Sequence, residues 1–143
     1  MELNDVYTEI IMEHNMSKRN RRNLQVCDAC EKGHNPSCGD EITIQVKYNG
    51  DIIEDIAFGG KGCAISQAST SMMIDLVKGK TKKEAKEIID KFIGMIKREI
   101  KDEDELEELE DAIVLQNISN MPARVKCAVL AWHTLDEMMK NEN

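Results

Sequence analysis

The sequence predicts an α+β fold in which a small antiparallel sheet of about three strands carries several helices on one face. Three observations point there. The segment "EITIQVKYNGDIIEDIAF", residues 41–58, alternates Ile42, Ile44, Val46 and Tyr48 with polar neighbours, breaks at Asn49-Gly50 and resumes, which is the signature of a β-hairpin. Other segments space their apolar residues by three and four, as amphipathic helices do. Aromatic residues make up only 3% of the 143, so the core must be built from Ile, Leu, Val, Ala and the nine Met.

The elements follow in order. Leu3, Val6, Tyr7, Ile10 and Ile11 lie on one face of an opening helix that should end near His14. A basic connector with Lys18, Arg19, Arg21 and Arg22 leads to "NLQV", residues 23–26, the candidate edge strand before the hairpin. The glycines of "GGKG" stop the sheet pattern. "CAISQASTSMMIDLVKG" then sets Ile65, Ala68, Met72 and Leu76 on a helical stripe that Gly79 terminates. Thr81 with Glu84 three residues later forms a capping box, followed by Ala85, Ile88, Ile89, Phe92 and Ile96 on a buried side. Pro122 suits the first turn of a last helix whose core face is Val125, Ala128, Val129, Trp132 and Leu135. The length suits one domain over residues 1–143.

Composition excludes several functions. No apolar run approaches the roughly 18 residues that a membrane span needs, and "MELNDVYTEI" lacks the basic-then-apolar order of a signal peptide, so a cytoplasmic protein is expected. The five cysteines, an odd number in a reducing compartment, then point to metal binding or catalysis rather than to a disulfide framework. Residues 102–111, "DEDELEELED", hold eight acids and no base, and this run accounts for the whole net charge of −8. It reads as a solvated helix face or a partly ordered excursion. A pI near 4.9, with no aromatics interleaved among the basic clusters, argues against a nucleic-acid partner.

Three cysteines occupy similar places. Cys38 lies in a turn between Pro36 and Gly39, Cys63 sits where a glycine-rich loop becomes a helix, and Cys127 falls in the early turns of the last helix. Helix N-termini present unpaired N–H groups and partial positive charge, which favour thiolates. Asp40 is two residues from Cys38, so in an extended chain both project to the same side. Each cysteine taken singly reads as an inert buried thiol; together with Asp40 they have the make-up of a tetrahedral zinc site, and a shared site is the better reading of the four, although linear spacing does not by itself bring them together. Gly39, Gly59, Gly60 and Gly62 would let the backbone approach such an ion closely.

The segments "NPSCGDEI", "FGGKGCAISQASTSMM" and "MPARVKCAVLAW" resemble the three ligand segments of the NifU/IscU superfamily of iron–sulfur cluster assembly proteins, and within it the SufU branch. The resemblance runs from the first helix to about Met139. Two features carry the branch: the long segment between Cys63 and Cys127, and Lys126 where IscU-type scaffolds carry a histidine. A lysine ammonium is a poor metal ligand near neutral pH. The resemblance implies zinc held by Cys38, Asp40, Cys63 and Cys127 on the α+β fold. It implies a pyridoxal-phosphate cysteine desulfurase, SufS-like, as the partner whose persulfide sulfur is accepted on Cys38, and delivery to downstream cluster assembly proteins. The alternative is an IscU-type scaffold that builds a 2Fe–2S cluster at the same residues.

One motif stands apart. Cys27, Cys30, His34 and Cys38 are spaced C-x2-C-x3-H-x3-C, near a zinc knuckle but one residue short in each of the last two gaps. A knuckle would make the protein a nucleic-acid-binding module. Otherwise Cys27 and Cys30 are surface thiols or an auxiliary metal or redox site. His14 and His133 fall on helices and are expected to be ordinary surface or part-buried residues.

Overall fold

The computed structural model describes residues 3–35 and 39–141. Its sheet grows outward from one strand whose alternation is strict. In β2 (Asp40–Asn49) Ile42, Ile44 and Val46 are fully buried, while Glu41, Thr43, Gln45 and Lys47 between them are half-exposed. β2 pairs antiparallel with β1 (Ala29–Asn35) on one side and with β3 (Ile52–Lys61) on the other, giving the order β1-β2-β3. The hairpin is the expected one, but its turn lies one residue later, at Gly50 and Asp51, because Asn49 pairs with Ile52. A register shift between Lys47 and Tyr48 explains this: one extra residue on β3, Glu54, slides the pairing and leaves a two-residue loop. Lys47 Nζ meets the Glu54 carboxylate at 2.7 Å across the irregularity. Gly50, at φ +61°, takes the first loop position, where a type II′ turn wants glycine.

The edge strand is not where local sequence places it. Residues 23–26 form no strand and touch the sheet through Leu24 N–H, which donates to the Gln45 side chain at 2.9 Å. The edge is β1, "ACEKGHN", which contains no β-branched residue and is held by its ladder to β2 and by α5 packing on it. Pairing partners overrode propensity here.

The helices are α1 (Leu3–Met16), α2 (Ala64–Val77), α3 (Lys82–Ile96), the short α4 (Glu103–Leu106) and α5 (Pro122–Asn141), with a 3₁₀ stretch, Glu107–Asn120, between the last two that is broken by a kink at Glu110, where φ is +47°. Thr81 and Glu84 make the expected capping box on α3, each side chain taking the other's backbone N–H at 3.0 Å. α2 departs from the single stripe. Ala68, Met72 and Leu76 are buried, but so are Ser66, Ser69, Thr70, Ser71, Met73, Ile74 and Val77, because the helix is surrounded by α1, α5, β3, α3 and the 3₁₀ stretch. Small hydroxyl residues permit that, since they take little room and find partners: Ser69 Oγ donates to Ala128 O at 2.6 Å and Thr70 Oγ1 to Ser66 O at 2.7 Å. The acidic run is packed, with Leu106 and Leu109 turned into the core and its carboxylates outward, and Ala112, Leu115 and Ile118 continue the buried side beyond it. His14 is not a surface residue: it is buried, Nε2 donates to Asp111 at 3.0 Å, and Nδ1 meets Ser71 Oγ at 3.3 Å. No helix among the described residues is long and apolar enough to cross a membrane.

The centre of the core is Trp132 of α5. Its ring stacks on Phe92 of α3 at 3.9 Å between centroids and 2° from parallel, while Nε1–H donates to Ser69 Oγ at 2.8 Å. One side chain thus joins α2, α3 and α5. Trp132→Ala should cost about 3–5 kcal/mol in urea unfolding, and a loss below about 1 kcal/mol would show that the three helices are held elsewhere.

A second junction is polar. Asp75 of α2 accepts from Asn20 Nδ2 at 2.9 Å and from Arg19. Burial pushes the Asp75 carboxyl up, but the donors Arg19 and Asn20 outweigh it and hold the group below the ordinary carboxylate range. A depressed acid contributes stability that is complete above its unfolded pKa of about 3.9 and disappears as pH falls through the lower folded value. Asp75→Asn should therefore narrow the stability gap to the unmodified chain as pH drops below about 4, measured by urea midpoints; a gap constant down to pH 2 would refute it.

Candidate metal centre

Three elements begin or pass at one point. Asp40 is the first residue of β2, paired across the ladder with Asn35 and wholly buried. Cys63 is the N-cap of α2, in extended backbone at φ −69° and ψ 168°, its Sγ accepting from Ser66 N–H at 3.5 Å in the place a Ser or Asp oxygen usually takes. Cys127, in the second turn of α5, is buried, with Sγ 3.9 Å from Ala123 O. A carboxylate oxygen of Asp40 and the sulfurs of Cys63 and Cys127 all lie within 4.8 Å of one another. The Cys63 N–H donates to Asp40 Oδ1 at 2.8 Å, so strand start and helix start are bonded directly.

The donor set fits a metal ion. Two thiolates and one carboxylate, drawn together in a buried place, suit a borderline-soft divalent ion such as zinc, which binds sulfur and oxygen together. Residues as close as these repel one another when ionised unless a cation sits among them. A closed tetrahedron needs a fourth ligand. The expected one, Cys38, lies outside the described residues, as do Pro36 and Ser37.

The glycines divide. Gly62 is required by close approach, since a Cβ there would stand 2.8 Å from Asp40 Oδ1 and 2.9 Å from Ser66 Oγ. Gly39 and Gly59 have no atom of the described residues within 4 Å of that position, so no contact within the chain calls for glycine there.

Three residues of the site's surroundings gave no signal in the sequence. Gln67 Nε2 donates to Gly62 O at 2.7 Å, and Arg21 bridges from the far-off connector, donating to Gln67 Oε1 at 3.1 Å and to Gly60 O, with its guanidinium 5.4 Å above the Phe58 ring. These contacts hold the end of β3, which runs on through Gly59 and Gly60 to Lys61 instead of stopping at the glycines, and the Gly62 turn that delivers Cys63. Ser66 is the third. The connector's bases read only as a charge cluster because the loop they grip is about forty residues away.

Cys27 and Cys30 are exposed and free, apart from this site. Cys30 pairs with Gln45, five positions along β1 from the Asn35–Asp40 pair, or about 17 Å at strand rise. The knuckle reading fails on the same geometry. Cys30 and His34 lie four residues apart on one strand, about 13 Å, too far to share an ion. His133 and Lys126 are exposed on α5.

Residues 6–128 match the family described as the NifU-like N terminal domain. The iron-sulfur cluster assembly scaffold protein IscU of Streptococcus pyogenes serotype M1 is 40% identical over 138 residues, covering 96% of this chain and 85% of that protein. The zinc-dependent sulfurtransferase SufU of Bacillus subtilis is 39% identical over 140 residues, covering 98% and 93%. The crystal structure of FiSufU from the thermophilic Fervidobacterium islandicum AW-1 superposes with a TM-score of 0.87 at 38% identity, covering 94% of this chain and 97% of that one.

With Cys27 and Cys30 both changed to Ser, the protein should bind the same equivalents of zinc as the unmodified chain by elemental analysis, whereas Cys127→Ser should lose most of it. Zinc lost from the double variant would move the site to β1.

Proposed function

This chain belongs to the NifU-like N-terminal domain family, and we propose from that premise that it serves iron–sulfur cluster assembly as a zinc-dependent sulfur acceptor, taking persulfide sulfur from a pyridoxal-phosphate cysteine desulfurase. The observation that carries the proposal is the convergence of buried Asp40, half-buried Cys63 and buried Cys127 within 4.8 Å. Cys38, two residues before Asp40 in the chain, completes the proposed ligand set and is the acceptor.

When bound, zinc supplies a redox-inert charge that keeps its sulfur ligands deprotonated without oxidising them. The chain's own residues do the rest. Cys63 N–H holds the Asp40 carboxylate in position, the N-cap place of α2 sets the Cys63 sulfur against Ser66 N–H, and burial of Asp40 and Cys127 keeps water from them. The Cys38 thiolate attacks the outer sulfur of the donor's persulfide, the donor S–S bond breaks, and the donor thiolate leaves with that bond's electron pair. SufU of Bacillus subtilis, the 39% identical relative, carries zinc dependence in its name, and Lys126 offers neither thiolate nor imidazole beside Cys127.

The same residues would serve a 2Fe–2S scaffold, and IscU-named relatives match equally closely. The test separates the two. Incubated with a cysteine desulfurase and cysteine, the protein should carry a persulfide that mass spectrometry places on Cys38, and Cys38→Ser should accept none. Asp40→Ala should weaken zinc binding roughly 10-fold or more while leaving the Cys38 thiol able to react. Near-stoichiometric iron and sulfide with visible absorption in anaerobically purified protein, and no sulfur on Cys38, would replace this reading by the scaffold.

A further inference from the structure

Ser66 is buried to 1% exposure, and its Oγ has no hydrogen-bond partner among the described residues. An orphan hydroxyl in a dry place is costly, so its position calls for a cause. The rest of the residue is fully engaged: Ser66 N–H donates to Cys63 Sγ at 3.5 Å and Ser66 O accepts from Thr70 Oγ1 at 2.7 Å. Only the side chain waits. Its direction is fixed by Gly62, whose missing Cβ would stand 2.9 Å from Ser66 Oγ, 2.8 Å from Asp40 Oδ1 and 3.2 Å from the carboxylate carbon. Hydroxyl and carboxylate therefore converge over the same glycine.

We propose that Ser66 is a positioning residue of the metal centre, its hydroxyl donating to the Asp40 carboxylate when the ion is held and so fixing how that carboxylate meets the ion. The inference rests on the zinc reading above. A carboxylate has about four acceptor positions across its two oxygens, so it can take the Cys63 N–H, a metal ion and a hydroxyl donor together. Coordination pins the carboxylate, and a pinned acceptor gives the hydroxyl a fixed partner. Outer hydrogen bonds of this kind orient ligating carboxylates and tune how firmly they hold. The Ser66 hydroxyl acts on the ion through Asp40, while the Ser66 N–H that meets Cys63 Sγ is kept in Ser66→Ala.

The test uses the full chain and Zn2+, with affinity read by competition against a chromophoric chelator and stability read on the metal-free protein. Ser66→Ala should bind zinc about 10-fold more weakly, yet the metal-free variant should melt at the same temperature as the unmodified chain or higher, since it loses an unsatisfied buried hydroxyl. A merely structural serine would not split the two readouts. In an Asp40→Ala background, Ser66→Ala should change zinc affinity no further. Unchanged affinity in the single variant, or an equal further loss in the Asp40→Ala background, overturns the role of Ser66 and leaves the sulfur-acceptor reading standing. An unmodified chain that holds no zinc overturns both.

Discussion

The Asp40 carboxylate, taken wholly out of water at the first position of the central strand, is the constraint on which the site and much of the fold depend. A buried carboxylate is tolerated only where donors or cations replace its water. One such donor is the backbone N–H of Cys63, which exists in that place because the β3–α2 loop brings the start of α2 against the start of β2. Gly62 permits the approach, and Arg21 with Gln67 holds the loop's carbonyls. Remove the contact between Asp40 and Cys63, and strand start and helix start lose their direct bond.

α2 carries that constraint through the molecule. Buried on most of its surface, it supplies Cys63 at one end and the Ser71 and Asp75 junction with α1 and the connector further along. Ser69 links it to α5 through both Ala128 O and the Trp132 indole, and α5 in turn presents Cys127 to the site one residue before Ala128. The positions of Cys63 and Cys127 are thus fixed by the same short hydroxyl contacts that pack the two helices. Rigidity at the ligands follows from core packing rather than from the loop alone.

Sulfur transfer and cluster building make different demands on one donor set. Both need thiolates and an exchangeable oxygen at a buried place; they differ in which ion is held and in whether a thiol must leave it. The acidic stretch that follows α3 has its apolar residues in the core and is tied by Asp111 to His14, so it is a packed part of the molecule. Cys27 and Cys30 stand at the opposite end of β1 from Asp40.

The hairpin, the capping box and the helix starting at Cys63 were legible in the sequence, because each is written in residues within a few positions of one another. Asp40, Cys63 and Cys127 were singled out as candidate ligands from thiols placed at turns and helix starts and from a family resemblance, while Cys38, the fourth, lies outside the described residues. The tertiary structure alone decided that β1 runs over Ala29–Asn35 rather than residues 23–26, that α2 is buried well beyond one stripe, and that His14 lies inside. It alone brought Asp40, Cys63 and Cys127 within 4.8 Å and left Ser66 Oγ without a partner among the described residues. The reason is the same in each case. These features arise between residues far apart in the chain, where a strand takes its place from the ladder it joins and a side chain its surroundings from the helices packed around it.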